Sequence, residues 1–164
     1  MIPADVEIRV AVDSDARAVA ALYRESAEAH LALAPDFYAV PDPADALDRA
    51  QRRLADRSRT TLVAVADHLV VGMADLVPLP PPEPGGMVAP TQTVEVGLVV
   101  TASHRGRGIG RALMDAAETR AQRDGAELLT LSARSDNDAA IGLYRSLGYE
   151  ASGVLMHKWL RSGR

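Results

Sequence analysis

His104-Arg105-Gly106-Arg107-Gly108-Ile109-Gly110-Arg111 follows a valine-rich run, Val94 to Val100, and leads into an amphipathic pattern that begins at Ile109. A strand, a glycine-arginine turn and a helix N-terminus in that order make an anion cradle. The first helical N–H groups have no partner inside the helix, and the helix dipole favours negative charge beside them. Glycines let backbone come close to a ligand, and nearby arginines add charge-assisted hydrogen bonds. This turn suits a phosphate.

Spacing separates the candidate owners of such a turn. A dinucleotide fold wants Gly-x-Gly-x-x-Gly; Gly106 and Gly108 fit, but Arg111 stands in the third place. Starting from Gly108 and Gly110 puts Leu113 there instead. A P-loop needs a lysine followed by Ser or Thr after its last glycine, and none is present. What does fit is Arg-x-x-Gly-x-Gly, read as Arg105, Gly108 and Gly110.

A second pattern lies downstream. Asn137, Ala140, Leu143, Tyr144, Leu147, Gly148 and Tyr149 spell Asn-x-x-Ala-x-x-Leu-Tyr-x-x-x-Gly-Tyr. Ala140, Leu143, Tyr144 and Leu147 fall at i, i+3, i+4 and i+7, one helical face. Asn137 or Asp136 can cap its start, and Gly148 can take the left-handed position that ends it. With both motifs in this order, the chain resembles the GNAT superfamily of N-acetyltransferases. The resemblance is dense over about residues 94 to 149 and thinner elsewhere.

Composition fits one ordinary domain spanning residues 1–164, long enough for a real core. Hydrophobic residues are 48% of the chain but aromatics only 4%, so the core must be Val, Leu, Ile and Ala. A formal charge of −4 argues against nucleic acid as a partner. With no cysteine there are no disulfides, thiolate metal sites or sulfur nucleophile, and the scattered histidines hold no metal-ligand spacing. No export-type opening or membrane-spanning run is evident, so a cytoplasmic protein without a membrane or metal is expected.

Patterning lays out the rest. Val6 to Val12 alternates as a strand; Asp13 or Ser14 then caps a helix that Pro35 stops. A second helix, from about Ala44 to Ala55, sets Leu47, Ala50 and Leu54 on one side. Asp48, Arg49, Gln51, Arg52 and Arg53 form its solvated side. Thr60 to Ala66 and Leu69 to Val77 form a hairpin about Asp67-His68, and Pro78 to Pro90 is a loop. Strand Thr93 to Val100, helix Ile109 to Arg123, strand Glu127 to Ala133 and the tyrosine helix follow. Tyr149 to Ser152 and Val154 to Leu160 read as two closing strands. The expected class is α/β (α+β): the GNAT fold, a mixed, mostly antiparallel sheet of about seven strands flanked by about four helices.

The resemblance implies a chemistry, acetyl transfer from acetyl-coenzyme A to a primary amine of a small molecule or protein by direct attack. It puts the pantetheine arm beside Leu98, Val99 and Val100, with a backbone N–H near Leu98 meeting the thioester oxygen. It puts the pyrophosphate on the backbone of Gly106, Arg107, Gly108, Ile109, Gly110 and Arg111, with Arg105, Arg107 and Arg111 adding positive potential. Asn137 would help hold the pantetheine or simply cap its helix. Tyr144 is the candidate general acid, since a phenol with an ordinary pKa of about 10 keeps a proton to give to the thiolate. An alkyl amine is mostly protonated at neutral pH, so a base or a water relay is needed. Glu95, pointing with Gly97 to one surface of the sheet, is the first candidate base, and it reads equally well as a solvent-facing strand residue.

One departure narrows the subfamily. Enzymes of this family that acetylate the N-terminal alanine of ribosomal proteins carry a glutamate where Leu131-Ser132-Ala133-Arg134-Ser135-Asp136-Asn137 has Ser132. Acceptor choice is expected in residues 24–56 and the loop 78–92, with Tyr23, His30, Tyr38 and Asp75 as candidate lining. A non-catalytic acyl-coenzyme A sensor would keep the cradle without needing Tyr144. An edge strand or the C-terminal strand could pair two copies into a homodimer.

Overall fold

A computed structural model describes residues 5–156 together with Lys158 and Leu160. The chain divides into two compact units, Met1–Ser132 and Ala133–Arg164. The first holds β1 (Val6–Val10), α1 (Ala16–Leu33), α2 (Pro43–Ala55), β2 (Thr60–Ala66), β3 (Leu69–Pro78), β4 (Thr93–Val100), α3 (Ile109–Arg123) and β5 (Leu128–Thr130). The second holds α4 (Asp138–Ser146). No helix among the described residues is long and apolar enough to cross a membrane.

The five strands form one sheet in chain order. β1 to β4 run antiparallel, and β5 joins parallel to β4. The β2–β3 hairpin turns on Asp67 and His68 at φ 47° and 65°, both left-handed, as a two-residue loop that follows strand twist requires. Alternation then sorts side chains by face. Val63, Met73 and Val99 point to α1 and α2, packing with Val19, Leu22 and Ala50. The opposite face takes α3, whose Ile109, Leu113 and Met114 are fully buried.

Gly72 seats α3 closely on this second face. A Cβ there would lie 3.0 Å from Leu113 Cδ1 and 3.1 Å from the Val99 carbonyl oxygen. Where α1 begins, neither Asp13 nor Ser14 caps it. Residues Asp13–Asp15 form a 3-10 turn, and the buried Asp15 carboxylate reaches back instead. It accepts from Arg9 at 2.7 and 2.9 Å and from Val12 N–H at 2.8 Å.

The sheet has five described strands, against the seven expected. Tyr149–Met156 joins no ladder, and Val154, Leu155 and Met156 are 86% exposed or more. β-rich composition does not make a strand without a neighbour to bond. His157 and Trp159, in the expected last strand, lie outside the described residues. β5 is also shorter than the expected Glu127 to Ala133.

Candidate active site

Two backbone bonds fix which groups of β4 face which way. Thr101 N–H donates to the Val71 oxygen at 2.9 Å, and Leu79 N–H to the Thr93 oxygen at 2.9 Å. Bonded and non-bonded pairs alternate along an antiparallel ladder. Glu95, Gly97 and Val99 therefore direct their N–H and C=O to β3. Val94, Val96, Leu98 and Val100 direct theirs to the other edge.

On that other edge β5 pairs only with Thr93, Val94 and Glu95. Among the described residues of this unit no strand runs beside β4 past Glu95, so the peptide groups of Leu98 face an open edge. The Val100 carbonyl accepts from Arg105 Nε at 3.0 Å. Arg105 thus ties the end of β4 to the turn that follows.

In the turn, Gly106 and Gly108 take φ +74° and +82°, a conformation that strains any residue with a Cβ. Gly108 is the N-cap of α3; its carbonyl accepts from Ala112 N–H at 3.0 Å, and no side chain caps the helix start. The N–H groups of Ile109, Gly110 and Arg111 precede Ala112, the first intrahelical donor. Arg107 is exposed and Arg111 half-buried. Glu25 of α1 accepts from Ala102 N–H at 2.6 Å, bracing the same bend from across the fold.

Toward α1 and α2, Thr61, Asp75 and Gly97 form a row across β2, β3 and β4. Asp75 is buried; it accepts from Thr61 Oγ1 at 2.8 Å. Its other oxygen lies 3.4 Å from Arg53 Nη1 and 4.0 Å from Arg59 Nη1. The expected solvated side of α2 is thus mistaken at Arg53, whose side chain is only 14% exposed. Arg53 falls at i+7 from the buried Ala46 and i+3 from Ala50, on the helix's inward stripe. Arg49 and Arg53 lie over the Tyr23 ring, 5.0 and 5.8 Å from its centroid. Burial, with Arg59 and Arg49 nearby, pushes the Arg53 guanidinium below its ordinary pKa despite the counteracting pull of Asp75.

Glu95 shares this face and is exposed; a Cβ on Gly97 would meet nothing within 4 Å. His30 sits on α1 with Nδ1 2.7 Å from the Ser26 oxygen and its ring 4.9 Å from that of Tyr38. The loop expected to shape acceptor choice borders a cavity of about 660 Å³ lined by Pro78, Thr91, Arg120 and Asp124, at the far end of α3 from the glycine turn. Among the described residues no cluster of three His, Asp or Glu could hold a metal ion.

The second unit brings Asn137 and Tyr144 together on α4. Asn137 Oδ1 accepts from Ala140 N–H at 3.1 Å, so the expected cap forms, and Gly148 closes the helix at φ +89°. The Tyr144 ring meets that of Tyr149 edge-on, centroids 6.0 Å apart. Burial pushes the Tyr144 phenol above its ordinary 10.

Sequence reading missed Glu25, Arg53, Arg59, Thr61 and Gly72. Only Arg53 left a local signal, its place on the buried stripe of α2; the others act through partners distant in sequence.

Comparison with known proteins bears on the family and the fold. A model of the acetyltransferase (GNAT) family matches residues 20–149. An L-methionine sulfoximine/L-methionine sulfone acetyltransferase of Pseudomonas aeruginosa is 38% identical over 72 residues, 44% of this chain and 42% of that protein. The match thus spans less than half of that relative's length. Among solved structures, a mutant of the BH1408 protein of Bacillus halodurans superposes with a TM-score of 0.85 at 26% identity, covering 94% of this chain and 99% of the other. The enzyme AAC(6')-Iy, in complex with the bisubstrate analog CoA-S-monomethyl-acetylneamine, shares the fold at a TM-score of 0.70 and 21% identity, covering 95% and 98%.

Proposed function

Because the chain belongs to the acetyltransferase (GNAT) family, we propose that it transfers an acetyl group from acetyl-coenzyme A to a primary amine of a small molecule or protein. The observation that carries this reading is the open edge of β4, with the Leu98 N–H facing outward, running directly into the uncapped glycine turn. An extended arm can pair with such an edge as another strand would, and the α3 N–H groups suit the diphosphate at its end.

In this reading the thioester supplies the activated acyl group, and the chain's residues do the rest. Leu98 and Val100, whose peptide groups face the open edge on either side of Val99, align the pantetheine arm, and the Leu98 N–H stabilises negative charge developing on the acyl oxygen. Gly106 to Arg111 hold the diphosphate, with Arg105, Arg107 and Arg111 raising the local positive potential. Glu95 takes the proton from the amine, directly or through water, as the N–C bond forms. Tyr144 gives its proton to sulfur as the C–S bond breaks, and Asn137 steadies the arm. A phenol held above its ordinary pKa remains a proton donor throughout the physiological range.

Calorimetric titration with acetyl-coenzyme A, followed by a free-thiol assay over a panel of amines, tests this. Binding with amine-dependent thiol release is the expected result. Absence of binding would remove the proposal. Binding without thiol release on any amine would favour an acyl-coenzyme A sensor.

A further inference from the structure

The cluster of Arg53, Arg59 and Asp75 differs from an ordinary structural ion pair. Two guanidiniums approach one buried carboxylate at 3.4 and 4.0 Å, and neither forms a hydrogen bond with it. Arg59 Nε is buried with no hydrogen-bond partner among the described residues; the exposed Asp56 lies 3.7 Å away. Arg49 brings a third guanidinium to the Tyr23 ring beside Arg53. With Asp56 counted, three guanidiniums meet two carboxylates, and a buried donor is unsatisfied. Both are costly without an anion to receive them.

The cluster also lies beside the proposed reaction centre. Asp75 pairs directly with Gly97, so the carboxylate that gathers the guanidiniums stands on the strand next to the one that presents the Leu98 N–H. Gly97 leaves the sheet surface between them open. On the same face, two residues along β4, stands the exposed carboxylate of Glu95. Negative charge on one side of an open floor and surplus positive charge on the other complement a molecule with an amine at one end and an anion at the other.

We propose that the acceptor is an amino-carboxylate, its carboxylate received by Arg53 and Arg59 and its amine lying over Gly97 toward Glu95. This rests on the acetyltransferase reading and specifies its substrate class. Asp75, held by Thr61, keeps the two guanidiniums in place, and Arg49 is the third cation that Asp75 and Asp56 leave unmatched.

Matched acceptors test it in the free-thiol assay: L-phenylalanine against 2-phenylethylamine and against L-phenylalanine methyl ester, and L-leucine with its two counterparts. The carboxylates are expected to have a kcat/KM roughly ten- to a hundredfold higher, the worth of a charge-assisted hydrogen bond. Arg59→Gln is expected to bring that ratio toward one, mainly through KM for the carboxylate. The ester comparison needs no variant and stands if Arg59→Gln folds poorly. Turnover of the decarboxylated amines or esters equal to that of the carboxylates would overturn this inference and leave the acetyltransferase reading intact. Absence of turnover with every amine would overturn both.

Discussion

Glu25 and Ala102 are 77 residues apart in sequence and joined by a hydrogen bond of 2.6 Å, from the Ala102 N–H to the Glu25 carboxylate. The first helix thereby braces the bend between the open edge of β4 and the glycine turn. Glu25→Ala is expected to loosen that bend and weaken acetyl-coenzyme A binding by about five- to tenfold, as losing a bond worth roughly 1 kcal/mol would. Glu25→Gln keeps an acceptor oxygen and should recover most of the affinity. Calorimetric titration of both variants checks this, and equal losses would rule out the bracing role.

Gly72→Ala tests how closely α3 is seated. The added methyl would press on Leu113 and on the Val99 carbonyl, and backbone gives way less readily than a side-chain tip. A loss of about 1–3 kcal/mol is expected by urea denaturation, the usual cost of overpacking. An unchanged midpoint would mean that the helix lifts freely.

Asp15 makes the fold sensitive to acid. Its hydrogen bonds from Arg9 hold the carboxyl below its ordinary range. A depressed folded value stabilises the protein above the unfolded pKa, roughly 3.9, and the gain is lost as pH falls through the folded value. Asp15→Asn should therefore cost about 1–3 kcal/mol near neutral pH, with the gap to the wild type closing in strong acid. Denaturation curves across that range decide it; a gap constant with pH would refute the assignment.

Tyr144→Phe is expected to lower turnover by roughly ten- to a thousandfold with little change in acetyl-coenzyme A affinity, the scale of positioned acid catalysis. Because burial raises the phenol's pKa, its loss of the proton should first reduce wild-type turnover above about pH 10. Full turnover in the variant, with the chemical step shown to limit the rate, would exclude the role.

Local punctuation made much of the fold legible. β4 and α3 lie where alternation and the glycine turn put them, and Asp67-His68 marks its hairpin because few dipeptides tolerate two left-handed residues. The start of α1 was not legible, since Asp15 is engaged by Arg9 on another element and does not cap the helix. β5 is short because only Leu128, Leu129 and Thr130 find partners on β4. At the candidate site the glycines and arginines of the turn could be recognised from spacing alone. Arg59 could not, because its approach to Asp75 exists only once β3 and the end of α2 are side by side.

The outward face of β4 offers peptide groups and not functional side chains, so it is blind to most substitutions. Leu98 or Val100 can be exchanged for another aliphatic without altering which amides look outward, leaving those positions free to adapt to packing against α3. Proline is different: at 98 it alone among the common residues deletes the outward-facing donor altogether.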